Sequence, residues 1–186
     1  MDSFQIGVSE LPRDENVTFQ DSAFFTRPPG VLPSPAQVRA AAKEADKNWK
    51  PLQSRPLPVR FPTMKLMVKY GSYIQVAEGQ CLWAIRRLLG DEVPVPEVYG
   101  WRRDGIETFI YMELIEGDTL EDRWGDLVRE EKLDICAQLR RIVDTLRQLR
   151  QDPADRFIGE EDGFFTISLV FTFAHSRRLR RTRTDL

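Results

Sequence analysis

The chain has 186 residues and a mass of 21.6 kDa, enough for one ordinary domain with a core of its own. Apolar residues at 41% and charged residues at 30% read as globular, and 27 Lys+Arg against 29 Asp+Glu leave a net charge of −2. That balance offers no long-range positive field to nucleic acid. The longest mostly apolar run, Phe164 to Ala174, falls well short of the roughly 20 residues a spanning helix needs, so no membrane partner is expected. Asp2, Glu10, Asp14 and Glu15 interrupt the N-terminal stretch, no secretory signal is visible there, and the expected compartment is the cytoplasm.

Taken in order, residues 1–33 are rich in proline and polar residues, with Arg27-Pro28-Pro29-Gly30 as a breaker, and read as an extended or poorly ordered leader. Ser34 as N-cap and Pro35 at the first helical position predict a helix through Val38, Ala41, Ala42 and Ala45 to about Trp49. Pro51, Pro56, Pro58 and Pro62 make the next stretch a connector. Met64 to Tyr70, closed by Gly71-Ser72, predicts a strand, and Ala77, Cys81, Ile85 and Leu88 predict a helix over about Tyr73 to Leu89 with Gly90 as C-cap. Gly79 inside that helix costs roughly 1 kcal/mol against alanine. After the extended Val93-Pro94-Val95-Pro96, the stretches Glu97–Trp101 and Ile106–Met112 predict a hairpin turning at Asp104-Gly105. A long helix is expected over about Glu130 to Arg150, burying Leu133, Cys136, Leu139, Ile142, Val143, Leu146 and Leu149. Residues 164–186 depart from this pattern: an apolar run, then Arg177, Arg178, Arg180, Arg181 and Arg183. They read as a solvated tail or as translation from a wrong frame or an unspliced intron. The alternative is a basic arm for acidic lipid or nucleic acid.

Several chemistries drop out. Cys81 and Cys136 fall on apolar stripes and read as buried, reduced thiols. A single histidine, His175, precludes a Cys/His zinc site and leaves no nucleophile–histidine catalysis to argue for. Asn16-Val17-Thr18 fits a glycosylation sequon, but with no secretory route it reads as chance.

The order of a strand bearing lysine, a helix bearing glutamate, a hairpin, an acidic link and a long helix has a physical meaning. A strand lysine can set its ammonium against nucleotide phosphates, and a glutamate one turn into the next helix can hold that lysine in place. Here these are Lys69 and Glu78. Either one alone would read as an ordinary surface charge.

Val68-Lys69-Tyr70-Gly71, Val76-Ala77-Glu78, Val93 to Gly100, and Ile110-Tyr111-Met112-Glu113-Leu114-Ile115-Glu116-Gly117-Asp118-Thr119-Leu120 through Trp124 together resemble the N-terminal lobe of aminoglycoside phosphotransferase-like proteins, over roughly residues 34 to 163. The resemblance implies an α+β protein-kinase-like N-lobe, a small antiparallel sheet plus a helix, followed by the first helix of an incomplete C-lobe. Under it Lys69 binds the phosphates of ATP and Glu78 pairs with it. Met112, Glu113, Leu114 and Ile115 form the hinge to the adenine edge, and Gly117 lets the chain turn toward the second lobe. The departures are as informative. The family's His-Gly-Asp loop followed by Asn is missing, since no asparagine follows Asn48 and Asp185 is the sole aspartate after Asp162. Mg²⁺ then lacks its paired carboxylate and amide. The nearest glycine before Lys69 and its strand is Gly30, so no Gly-rich loop covers the phosphates. The expectation is a truncated, catalytically incompetent small-molecule phosphotransferase, with a small-molecule acceptor only in a full-length form. The alternative is a pseudokinase-like module that binds nucleotide or a protein. The long helix's stripe is expected to be covered by residues 164–173, the leader or a second copy of the chain.

Overall fold

A computed structural model describes residues 5–28, 30–46, 48, 50–51 and 56–151. In chain order the elements are β1 (Gln5–Ile6), β2 (Val17–Thr18), α1 (Pro35–Ala45), β3 (Val59–Phe61), β4 (Leu66–Gly71), α2 (Val76–Leu89), β5 (Val98–Asp104), β6 (Glu107–Glu113), α3 (Leu120–Arg123), α4 (Arg129–Leu146) and β7 (Arg150–Gln151). The class is α+β, and these elements fall into two compact units.

One unit comprises residues 9–87 and 96–114 and holds a five-stranded antiparallel sheet in the order β2-β5-β6-β4-β3. Alternation along β4 and β6 sends Val68, Tyr70, Phe109 and Tyr111 to one face and Lys69, Ile110 and Met112 to the other. The first face meets Val38 and Ala42 of α1 together with Phe24 and Leu32, forming the hydrophobic core. Helix α2 lies on the second face, where Gly79 rests on Trp101 and Ile110. The helices are therefore on opposite sides of the sheet.

Local chemistry explains the boundaries. Ser34 accepts from the Gln37 amide and donates its own amide to Gln37 Oε1, a complete capping box, with Pro35 at the first turn. The helix ends at Ala45 rather than near Trp49 because Asp46 turns extended and its carboxylate accepts from the Asn48 amide, an Asx-turn that competes with helix. The stretch expected to be only a connector contains β3, whose Val59 and Phe61 pair with Val68 and Leu66. Pro58 and Pro62 are tolerated there because β3 is an edge strand. Lys65 takes a left-handed φ of 49° between β3 and β4. The hairpin's two-residue loop is Gly105-Ile106, with Gly105 at φ 63°, which glycine adopts at no steric cost.

The expectation of a poorly ordered leader over residues 1–33 is corrected for its described part. Val17 and Thr18 pair with Trp101 and Gly100 as β2, and Phe24 and Leu32 are each about 5% exposed within the core. The segment is fastened by single long-range hydrogen bonds, which leave no periodic trace in the sequence. Arg39 fastens α1 in a similar way: its guanidinium bonds Asp104 at 2.6 Å and the buried Glu107 at 2.7 Å, and it lies 5.0 Å from the centre of the Phe109 ring.

Burial also marks two phenols. Tyr99 and Tyr111 are both pushed up to about 12, chiefly by burial; Glu113 and Glu97 add to the effect at Tyr99, while Arg102 and Arg39 oppose it at Tyr111. The Tyr111 hydroxyl has no hydrogen-bond partner among the described residues. Between the ordinary phenol value near 10 and about 12 the folded state holds protons that the unfolded state has released. This contribution to stability is thus complete below about pH 10 and is lost as the pH rises toward 12. Spectrophotometric titration is expected to show Tyr99 and Tyr111, at least two of the four tyrosines, ionising only together with alkaline unfolding. Ionisation of all four near pH 10 with the far-ultraviolet circular dichroism intact would contradict this.

The other unit takes residues 5–8, 88–95 and 115–151 of those described. In it β1 and β7 pair in parallel, Thr119 caps α3 by accepting from the Asp122 amide, and Glu131 caps α4 by accepting from the Val128 amide. Helix α4 stops at Leu146 rather than Arg150, closing with i→i−3 bonds from Gln148 and Leu149 before β7. Its predicted stripe holds from Leu139 onward and fails at its first two positions. Ile135 is the buried residue; Leu139, Ile142, Val143 and Leu146 follow at helical spacing and are half-buried, whereas Leu133 and Cys136 are exposed. The expectation of two buried thiols is corrected accordingly for Cys136. Cys81 is half-buried, and burial, with Glu78 adding, pushes its thiol up to about 12. The apolar run, His175, the arginine cluster and the proposed cover by residues 164–173 lie outside the described residues. Among the described residues no helix is long and apolar enough to cross a membrane.

Candidate functional site

Strand β4 carries Lys69 on its α2-facing side, directly opposite Ile110 of β6. The loop after Gly71 turns back through bonds from Ile74 N–H to Gly71 C=O and from Glu78 N–H to Gln75 C=O, which starts α2. Glu78 then falls in the first turn of α2, on the side that meets the sheet, and its Oε2 accepts from Lys69 Nζ. The two residues predicted to pair are thus a salt bridge between strand and helix.

The pair is neither deeply buried nor free in water: the Lys69 and Glu78 side chains retain 22% and 15% of their exposure. At that depth the attraction is less screened than at the surface, while the ammonium keeps access to solvent. Such a lysine can meet an incoming anion without first being pulled out of the interior.

Gly79 explains how the helix comes so close. A Cβ at this position would lie 2.9 Å from Trp101 Cε3, nearer than real Cβ atoms come, so the helix backbone rests directly on the indole ring. The glycine that weakens the helix prediction is therefore a packing requirement. Trp101 is fully buried, and its indole N–H donates to the Asp14 carbonyl at 2.8 Å. Sequence reasoning passes over Trp101, because only the glycine one position after Glu78 hints that a large ring lies beneath the helix.

The four residues expected to form a hinge separate into different environments. Met112 is fully buried, with its backbone running between β4 and β5 opposite Met67 and Val98. Glu113 N–H donates to Glu97 C=O at 2.8 Å, and Leu114 N–H donates to Lys65 C=O at 2.9 Å. Neither amide can donate to an adenine edge while it holds these bonds. Ile115 belongs to the other unit. The structure brings Lys69 and Glu78 together and places Met112, Glu113 and Leu114 at the end of β6, where the last two amides already serve the sheet.

Among the described residues no group of three or more His, Cys, Asp or Glu side chains is placed to hold a metal ion. No protein-family model, curated protein or solved structure matches the chain.

Proposed function

We propose that residues 9–87 and 96–114 form a nucleotide-binding unit of the small-molecule phosphotransferase type, built like a protein-kinase N-lobe, with Lys69 holding nucleotide phosphates. The Lys69–Glu78 salt bridge between β4 and α2 carries this reading. The surrounding order supports it: the lysine strand pairs with the second strand of the hairpin, and the glutamate helix lies between the lysine strand and the hairpin in sequence. ATP bound here supplies a transferable γ-phosphoryl. On the protein's side, the Lys69 ammonium would neutralise phosphate charge, and the Glu78 carboxylate would keep it aimed. The 186 residues contain no His-Gly-Asp followed by Asn, so they offer no aspartate of that loop to orient an acceptor hydroxyl. The unit is therefore proposed to bind nucleotide and not to transfer phosphate by itself.

Thermal unfolding of the purified chain with and without ATP tests this. At a hundred times the dissociation constant, binding stabilises by about 2.7 kcal/mol, a rise of about 5–10 °C for a chain of this size. Lys69→Met is expected to abolish the shift and Glu78→Gln to reduce it. The absence of any shift in the unaltered chain, with or without Mg²⁺, refutes nucleotide binding; phosphorylation of a small-molecule hydroxyl by these residues refutes the lack of transfer.

A further inference from the structure

Glu78 has its position from α2, and α2 has its height above the sheet from the contact of Gly79 with Trp101, 2.9 Å and 3.4 Å from a Cβ position to Cε3 and Cζ3. The ring is held in turn by the N-terminal segment. Its N–H bonds the Asp14 carbonyl, and Phe19 meets it edge-on with ring centres 5.3 Å apart. The same segment also grips the helix. Gln80 Nε2 donates to the Pro12 carbonyl at 2.7 Å, and Phe19 stacks on Trp83 at 6.0 Å. Its far side is tied to β5: Phe19 N–H donates to Tyr99 C=O at 2.9 Å, Arg103 N–H donates to Asn16 Oδ1 at 3.0 Å, and the Arg103 guanidinium meets Glu15 at 2.8 Å. Residues 12–19 thus bind both the helix that carries Glu78 and the ring on which it rests.

We propose that Trp101, gripped by residues 12–19, is the positioning residue of the Lys69–Glu78 pair, so that loosening this segment opens the pair without altering either charge. Three observations point this way. Glycine is a poor helix former, yet it stands next to Glu78 where only a bare backbone fits over the ring. Two of the donors that hold the segment, Gln80 and Trp101, come from the two surfaces whose separation sets the pair. A ring wedged between helix and strand is stiff, and close-packed interiors transmit such displacements rather than absorbing them. The link to ligand affinity rests on the proposed nucleotide reading; the link to the ion pair does not.

The test compares the full chain with Trp101→Leu, Gln80→Leu and Gly79→Ala by the rate at which an amine-directed acylating reagent labels Lys69. Peptide mass spectrometry reads the label, with Lys43, exposed on α1, as the internal reference. An amine held by a carboxylate reacts more slowly, so Trp101→Leu is expected to raise Lys69 labelling about fivefold with Lys43 unchanged. Gln80→Leu, which removes one hydrogen bond and keeps the core, is expected to raise it about twofold. Gly79→Ala is expected to act like Trp101→Leu, and the double variant, with room for the added methyl, to fall nearer the unaltered chain than either single change. A merely structural role for Trp101 would move Lys43 as well and show no such compensation. Unchanged Lys69 labelling in Gln80→Leu and Gly79→Ala overturns the proposal even where Trp101→Leu fails to fold. ATP affinity is expected to fall in step with the labelling. Labelling that rises in a chain that binds no ATP supports the positioning role and overturns the nucleotide reading alone.

Discussion

Arg39→Ala is expected to cost about 3 kcal/mol of folding stability, because it leaves the Glu107 carboxylate buried without its partner. The Glu107 side chain keeps 3% of its exposure, and the Arg39 guanidinium is its hydrogen-bond donor, through Nε at 2.8 Å. The Arg39–Asp104 contact contributes little to this figure, since the Asp104 side chain is 51% exposed and an exposed pair is worth at most about 1 kcal/mol. The order of effects follows: Arg39→Ala is more damaging than Asp104→Ala, and Arg39→Met with Glu107→Gln recovers much of the loss because no uncompensated charge remains. Urea unfolding midpoints of the three variants check this order. Equal midpoints for Arg39→Ala and Asp104→Ala would show that Glu107 is not held as described.

Gly100→Ala is expected to cost about 2–3 kcal/mol, an ordinary figure for forcing a methyl into packed structure. The added Cβ would lie 2.4 Å from the Val17 carbonyl oxygen and 3.2 Å from Thr18 Cα. Both are backbone atoms, so no side chain can swing aside, and β2 must leave β5. Residues 12–19 then lose their pairing with the sheet, and limited proteolysis is expected to cut there while the rest of the sheet resists. An alanine variant with an unchanged unfolding midpoint and no new cleavage site would contradict the placement of β2.

The stretch from Leu66 to Glu113 was legible because its signals are local. Gly71, Gly90 and Gly105 punctuate it, the helical period of α2 is regular, and an apolar run flanks each turn. Lys69 and Glu78 could be paired in advance from that order alone. The described part of residues 1–33 gives no such signal, for the opposite reason: its anchors are carbonyls of Pro12 and Asp14, met by side chains of Gln80 and Trp101, and backbone acceptors have no signature in residue type. Helix α4 keeps most of its expected stripe, Leu139 to Leu146, but Leu133 and Cys136 are exposed and Ile135 is buried in their place, since all three look equally apolar and only packing selects among them. The hinge amides show a further limit. Met112 to Ile115 read as a hinge on resemblance, and the Glu97 and Lys65 carbonyls that accept from the Glu113 and Leu114 amides come from other parts of the chain.

The strand order β2-β5-β6-β4-β3 has a consequence for biosynthesis. The strand at the centre of the sheet, β6, is the last of the five to leave the ribosome. Until residues 107–113 emerge, β3 with β4 and β2 with β5 are two separate ribbons with no shared neighbour, and a two-stranded ribbon is marginally stable in water. The nascent chain therefore carries Val68 and Tyr70, and from its emergence Trp101, without the central strand until residues 107–113 follow, the condition under which chaperones engage exposed apolar surface. A chain stalled just before Glu107 should be held by them, and one released after Glu113 should be able to close its sheet in a single step.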